Sequence, residues 1–160
     1  EVYGAELSLS LAGEMLTPAL EGFGAILSYS YTDSGIQITD ARLGPNVPLP
    51  GLSKNVWNAT VYFERAGFQA RVATRARSKY IGEITDFAAE RNLRYIKGDQ
   101  ITDAQVGYTF QEGRMAGLSV LFQVNNLTNE PYVAYQEVES RLVDYQEYGR
   151  QYLLGINYRL

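Results

Sequence analysis

The 160-residue chain contains no cysteine and no histidine. The first absence excludes thiol catalysis and a disulfide framework, while leaving the compartment open. The second removes the commonest general base and the commonest metal ligand. No stretch approaches the ~18 continuous apolar residues of a membrane helix. A basic surplus is missing too: the formal net charge is −4, so there is no electrostatic footprint for nucleic acid. At this length the chain is one domain at most. It opens Glu1-Val2-Tyr3, already in a strand pattern, with no basic-plus-apolar leader. It therefore reads as a piece of something larger.

What is present is alternation. Thirteen Tyr and fifteen Gly accompany apolar residues that recur at every second position. Side chains alternate across a β-strand, so each such segment has one greasy and one mostly polar face. Seven segments fit: 2–12, 22–34, 55–65, 68–81, 100–111, 117–127 and 148–160. In the last, Tyr152, Leu154, Ile156, Tyr158 and Leu160 share a face, against Gln151, Gly155, Asn157 and Arg159. Chain ends usually fray, whereas the final strand of an outer-membrane barrel is a full member of its wall. The expected fold is all-β: an antiparallel up-and-down transmembrane barrel wall. The alternative is a soluble, lipocalin-like barrel that binds a ligand.

Two features separate these readings. The connections alternate in length, with short Gly-containing turns at 66–67 and 111–115 and long stretches at 35–53, 82–98 and 128–147. Short periplasmic turns against long extracellular loops are the outer-membrane asymmetry. The fourth segment places Arg71, Arg75, Arg77 and Lys79 on one face. A two-residue turn at Ala66-Gly67 sets Tyr62 opposite Arg71 and Asn58 opposite Arg75. A lipocalin interior is apolar, while a large outer-membrane barrel has a wet lumen. Facing lipid would cost each cation roughly 2–4 kcal/mol at the bilayer midplane. These four are therefore expected to line a lumen, either as a solvated wall or as a docking strip for an anionic solute.

Gln123-Val-Asn-Asn-Leu-Thr-Asn-Glu-Pro-Tyr132, followed by Gly149-Arg-Gln-Tyr-Leu-Leu-Gly-Ile-Asn-Tyr158, resembles TonB-dependent receptors. Tyr29-Ser-Tyr-Thr-Asp33, Leu49-Pro-Gly-Leu-Ser-Lys54, Ala59-Thr-Val-Tyr62 and Ala76-Arg-Ser-Lys-Tyr80 extend the likeness over nearly the whole chain. Asn126 and Asn129 stand where Asx side chains cap turns, and Pro131 removes a ladder donor. The resemblance implies the C-terminal third of a 22-stranded-type barrel, with plug domain and TonB-contacting segment outside this stretch. It implies a bacterial outer-membrane location and import of a scarce small solute, an oligosaccharide or a siderophore. The implied partners are outer-membrane lipid, the remaining strands and plug of the parent, the TonB complex and the barrel-assembly machinery. Asp144-Tyr-Gln-Glu-Tyr-Gly-Arg150 and Phe122-Gln-Val-Asn-Asn-Leu127 look most like a proteobacterial carbohydrate-uptake subgroup. The stripe from Tyr152 to Leu160 resembles the terminal assembly signal, with Leu160 where the family usually ends in Phe.

Catalysis is not expected. The hydrolase and acyltransfer chemistries of small barrels rely on His. Glu137, Glu139, Asp144 and Glu147 lie on an expected loop with no apolar shielding to raise a pKa. No cofactor is implied. Ligand contacts, if present, fall to loop tyrosines, with Tyr95, Tyr135 and Tyr145 as candidates for stacking on a ring. Interfacial girdle aromatics are the competing account. Glu137, Glu139 and Asp144 lack the Gly-spaced pattern of a calcium loop and read as a solvated acidic loop, so no metal site is assigned.

Overall fold

The computed structural model describes residues 1–36, 46–87 and 90–159. Among these residues eleven strands form two antiparallel sheets. The larger sheet, the wall, takes β1 (Val2–Ala12), β2 (Phe23–Ser34), β3 (Asn55–Arg65), β4 (Phe68–Arg77), β7 (Asp99–Thr109), β8 (Leu118–Asn125) and β11 (Gln151–Tyr158) in that spatial order. The smaller sheet takes β5 (Tyr80–Phe87), β6 (Glu90–Ile96), β9 (Tyr132–Gln136) and β10 (Leu142–Gln146), ordered β10-β9-β6-β5.

The wall is a meander because each of its strands returns beside its predecessor. Its tightest turn is Ala66-Gly67, with φ of 49° and 82°. Positive φ at both central residues matches the right-handed strand twist and allows a two-residue hairpin. That turn sets Arg65 opposite Phe68, Tyr62 opposite Arg71 and Asn58 opposite Arg75. Since wall strands alternate in direction, the connections β2–β3, β4–β7 and β8–β11 all leave from one edge of the sheet. The short connections leave from the other.

Directly paired residues share a face, so register assigns every wall residue to a side. One side carries Leu7, Leu27, Val61, Val72, Val106, Phe122, Leu154 and Ile156, all more than two-fifths exposed. Aromatic residues bound this aliphatic band at both ends. Near the short turns Phe23 lies 4.5 Å from Phe63, Phe63 lies 6.0 Å from Phe68, and Tyr108 lies 4.9 Å from Phe110. Near the other edge stand Tyr3, Tyr29, Tyr31, Trp57 and Tyr152. From Phe63 to Trp57 is about 20 Å along the strand at ~3.4 Å per residue. The band itself is left open among the described residues, while Ala76 and Val124, nearer the long connections, are buried at 9% and 8% exposure.

The packed core lies elsewhere. Val47, Ile81, Ala134 and Tyr135 are buried where the small sheet meets the chain between β2 and β3. The wall is not closed, since among the described residues β1 and β11 each have a free edge.

Three expectations need correction. The fourth segment does not run to 81: β4 stops at Arg77, and Ser78 closes it by accepting from the Asn55 N–H at 3.0 Å and donating its own N–H to Asn55 O at 2.8 Å. Lys79 therefore leaves the face shared by Arg71, Arg75 and Arg77. The stretches 82–98 and 128–147 are not plain loops but hold most of the small sheet. The last strand is shorter than 148–160, running Gln151–Tyr158.

Candidate functional site

The polar side of the wall is built row by row from the register. One row reads Ser8, Ser28, Asn58, Arg75, Ile101, and the next toward the short turns but one reads Ala12, Gly24, Tyr62, Arg71, Gln105, Gln123, Leu153. A third sets Glu6, Ser30 and Val56 beside Arg77 and Asp99. Hydroxyls and small residues on β1 and β2 thus face a ridge of guanidinium groups on β4. Tyr62 lies across Gly24, where an added Cβ would stand 2.1 Å from the ring carbon Cζ. Glycine here makes room for an aromatic ring laid flat on the neighbouring strand.

Only one of the three guanidinium groups is paired among the described residues. Arg77 Nε donates to Asp99 Oδ2 at 3.1 Å, and its guanidinium carbon stands 4.6 Å from the Tyr80 ring centroid. Arg71 and Arg75 meet no carboxylate within ion-pair distance among those residues. Lys79 stands with its Nζ 5.9 Å from the Tyr95 ring centroid.

Where β8 leaves the wall, Asn126 organises the backbone. It adopts φ 53°, a left-handed conformation that Asn tolerates better than most residues. Its Oδ1 accepts from Glu130 N–H at 2.8 Å, and its Nδ2 donates to Glu130 O at 3.1 Å and Gly149 O at 3.3 Å. Its own N–H donates to Asp103 Oδ1 at 2.9 Å. Arg150 Nε donates to Leu127 O at 2.7 Å. The Asn126–Asn129 stretch and the Gly149-Arg150 pair, remote in sequence, therefore clasp each other. Sequence reasoning marked Asn126 and Asn129 as turn caps but missed Asp103 and Arg150, whose roles depend on a neighbouring strand. Above this clasp a recess of about 530 Å³ is lined by Arg75, Arg77, Asp103, Glu130, Tyr132 and Tyr148, among others. It offers both charge signs, amides and two phenols to a hydrogen-bonding solute.

The three candidate tyrosines fare differently. Tyr135 is 2% exposed and stacks on Tyr95 at 5.6 Å and 18°. Its hydroxyl is buried with no partner among the described residues, so it packs the small sheet and is closed to a solute. Tyr95 lines a second recess of about 470 Å³ with Lys54, Lys79 and Tyr80. Tyr145 is exposed and donates to Glu147 Oε1 at 2.7 Å. That bond, reinforced by partial desolvation and the carboxylate's charge, holds its hydroxyl above the ordinary phenol range.

Two of the acidic residues of the same region are tied to cations. Glu137 pairs with Arg141 at 2.9 Å, and Asp144 with Arg94 at 3.6 Å. Among the described residues no three carboxylates gather as a metal site would require. Tyr152, Leu154, Ile156 and Tyr158 lie along β11 on the apolar face, and Leu160 falls outside the described residues.

No curated protein and no solved structure matches the chain. Residues 1–127 match the family model described as TonB dependent receptor-like, beta-barrel. With most of the wall inside that match, from β1 through β8, the chain belongs to the TonB-dependent receptor family and carries part of its β-barrel.

Proposed function

We propose that the chain is a section of barrel wall in an energy-coupled outer-membrane receptor that imports a scarce solute. The observation that carries this reading is the opposed polarity of the wall. An aliphatic band edged by two aromatic rows fits lipid and its interfaces, and the reverse face of hydroxyls, amides and guanidinium groups fits a wet lumen. A soluble lipocalin-like module is not favoured, because it would turn its apolar face inward.

In this reading the wall is completed to the 22-stranded type by other strands of the parent, around a plug. Free edges at β1 and β11 accord with that, since an open sheet edge is not tolerated in the hydrocarbon region. The short turns face the periplasm and the small sheet faces the cell exterior. Arg71 lines the lumen below the recess at the Asn126 clasp, Arg75 and Arg77 stand in the recess wall itself, and that recess meets the solute. Its mixture of charged forks, amides and phenols suits a polyhydroxylated or multidentate ligand such as an oligosaccharide or a siderophore. The resemblance at 122–127 and 144–150 leans toward carbohydrate. Plug movement driven through the TonB complex supplies the work of import.

Cysteine scanning of the membrane-inserted parent tests the lumen assignment. Substitutions at 71, 75 and 77 should react with a hydrophilic reagent, and those at 70, 72 and 76 should be protected. The reverse pattern would mean an apolar interior and defeat the proposal.

A further inference from the structure

The small sheet has two flanks, and the chain treats them differently. Beside β5 the connection between β2 and β3 covers the start of the edge. Gly51 N–H donates to Ile81 O at 2.7 Å, and Val47 exchanges both backbone hydrogen bonds with Ile36, at 2.9 and 3.1 Å. Ile81 and Val47 are left 1% and 2% exposed. Beside β10 no strand lies among the described residues. There Leu142, Val143 and Tyr145 remain 58, 51 and 54% exposed. An edge strand carrying apolar side chains and unpaired backbone groups is a template for another strand. The register shift between Leu142 and Asp144 interrupts β10 once, and Asp144 through Gln146 then pair regularly with β9.

The wall ends on the same flank. β11 is its outermost strand there, and the β9–β10 hairpin is the connection that leads into β11, so two free edges lie together. Each connection on this side already abuts the next one along. The β2–β3 connection meets β5, and β6 pairs with β9 through Arg94–Gln136, Tyr95–Tyr135 and Ile96–Ala134. Whichever hairpin continues the wall beyond β11 brings its own connection to the place beside β10.

We propose that in the parent receptor β10 is paired by a strand from the outer connection of the wall hairpin that abuts β11. Closing the wall then also closes a collar above it. The pairing segment is extended, with apolar side chains against Leu142, Val143 and Tyr145. The proposal rests on the reading of this chain as part of a larger closed wall.

Disulfide trapping in the full-length parent, in outer-membrane vesicles, separates the two claims. This chain contributes no cysteine, and paired strands hold Cα atoms about 4.5–5.5 Å apart, within the usual disulfide range of roughly 4.4–6.8 Å. Val143→Cys and Tyr145→Cys are each combined with single cysteines along the outer connection of the wall hairpin that abuts β11 in the parent. Leu153→Cys is combined with cysteines along the wall strand that abuts β11 as a control. The expected result is an intramolecular cross-link in most molecules for both sets. A wall cross-link without a collar cross-link overturns the proposal and leaves the larger-wall reading standing. Neither cross-link defeats both. Cross-linked dimers through position 143 or 145 would assign the edge to a second copy and also overturn the proposal. As an independent readout, Tyr145→Cys should react with a hydrophilic maleimide at least tenfold more slowly than Glu139→Cys. Equal rates count against the collar.

Discussion

Val72→Arg, set beside Ala73→Arg, tests the assignment of the two wall faces at a single point of the chain. Val72 pairs with Val61, and Ala73 with Thr60, so adjacent residues stand on opposite sides of one strand. The aromatic bounds on β3 are Phe63 and Trp57, whose midpoint falls at Thr60. Val72 thus lies about 3.4 Å along the strand from the middle of the aliphatic band. An arginine facing lipid near the midplane costs about 2–4 kcal/mol. That is roughly a 30- to 1000-fold loss in the folded-to-unfolded ratio, at ~1.4 kcal/mol per tenfold. Ala73→Arg enters a row already holding Ile26, Thr60 and Asp103, two residues from Arg71 and Arg75 on the same side. There the added charge stays hydrated, and the expected cost is under about 1 kcal/mol, as for surface substitutions generally. The assay is reversible urea unfolding of the parent in lipid vesicles, followed by tyrosine and tryptophan fluorescence. Equal destabilisation by the two arginines would refute the face assignment, and a larger loss from Ala73→Arg would invert it.

Asn126→Ala removes one accepted and two donated side-chain hydrogen bonds, each worth about 0.5–1.5 kcal/mol net. Amide exchange across 130–150 should quicken by at least tenfold while β3 and β4 hold their protection, and unchanged exchange would deny Asn126 its role as a clasp. Gly24→Ala should destabilise the parent by about 1–3 kcal/mol through overpacking against Tyr62, and should do so by less than half that in a Tyr62→Ala background. Additive losses would show that the ring is not what occupies the glycine's space. Leu160→Ser should lower the amount of receptor inserted while leaving the melting of inserted molecules nearly unchanged, and Leu160→Phe should insert at least as well as the parent. Normal insertion of Leu160→Ser would remove the assembly-signal reading and leave the terminal strand as wall alone.

Wall strands were legible because a one-sided sheet repeats its polarity at period two, and β1, β3 and β4 have bounds within a residue or so of that pattern until Arg77. The small sheet was not. In Tyr80–Phe87 the register shifts between Ile81 and Glu83, and in Leu142–Gln146 between Leu142 and Asp144. A bulge moves every later side chain to the opposite face, so a five- to eight-residue strand containing one shows no sustained alternation. Lys79 was misplaced for a related reason: Ser78 ends the β4 ladder, and parity does not carry across the break. Tyr135 and Tyr145 are equivalent to the eye in sequence, each beside Gln. Only pairing separates them, by stacking Tyr135 against Tyr95 on β6 and leaving Tyr145 on the free edge.

The clasp at Asn126 was half legible for the same physical reason. A left-handed residue that bonds its own downstream backbone is a local event, and Asn in Asn-Leu-Thr-Asn announces it. Its distant partners Asp103 and Gly149, and the Arg150 that holds Leu127 beside it, come from β7 and from the approach to β11, and only the wall brings them there. Asn126 therefore ties the start of the β8–β11 connection to its end, across the mouth of the strand pair. The hairpin carrying β9 and β10 hangs from that tie, and through β6 it holds the rest of the small sheet. A solute that displaced Tyr132 or Tyr148 at the recess would pull on the same backbone that Asn126 holds. Recess and collar are thus joined through one side chain, so the effect of Asn126→Ala on amide exchange should extend from β9 into β6 before it reaches any strand of the wall.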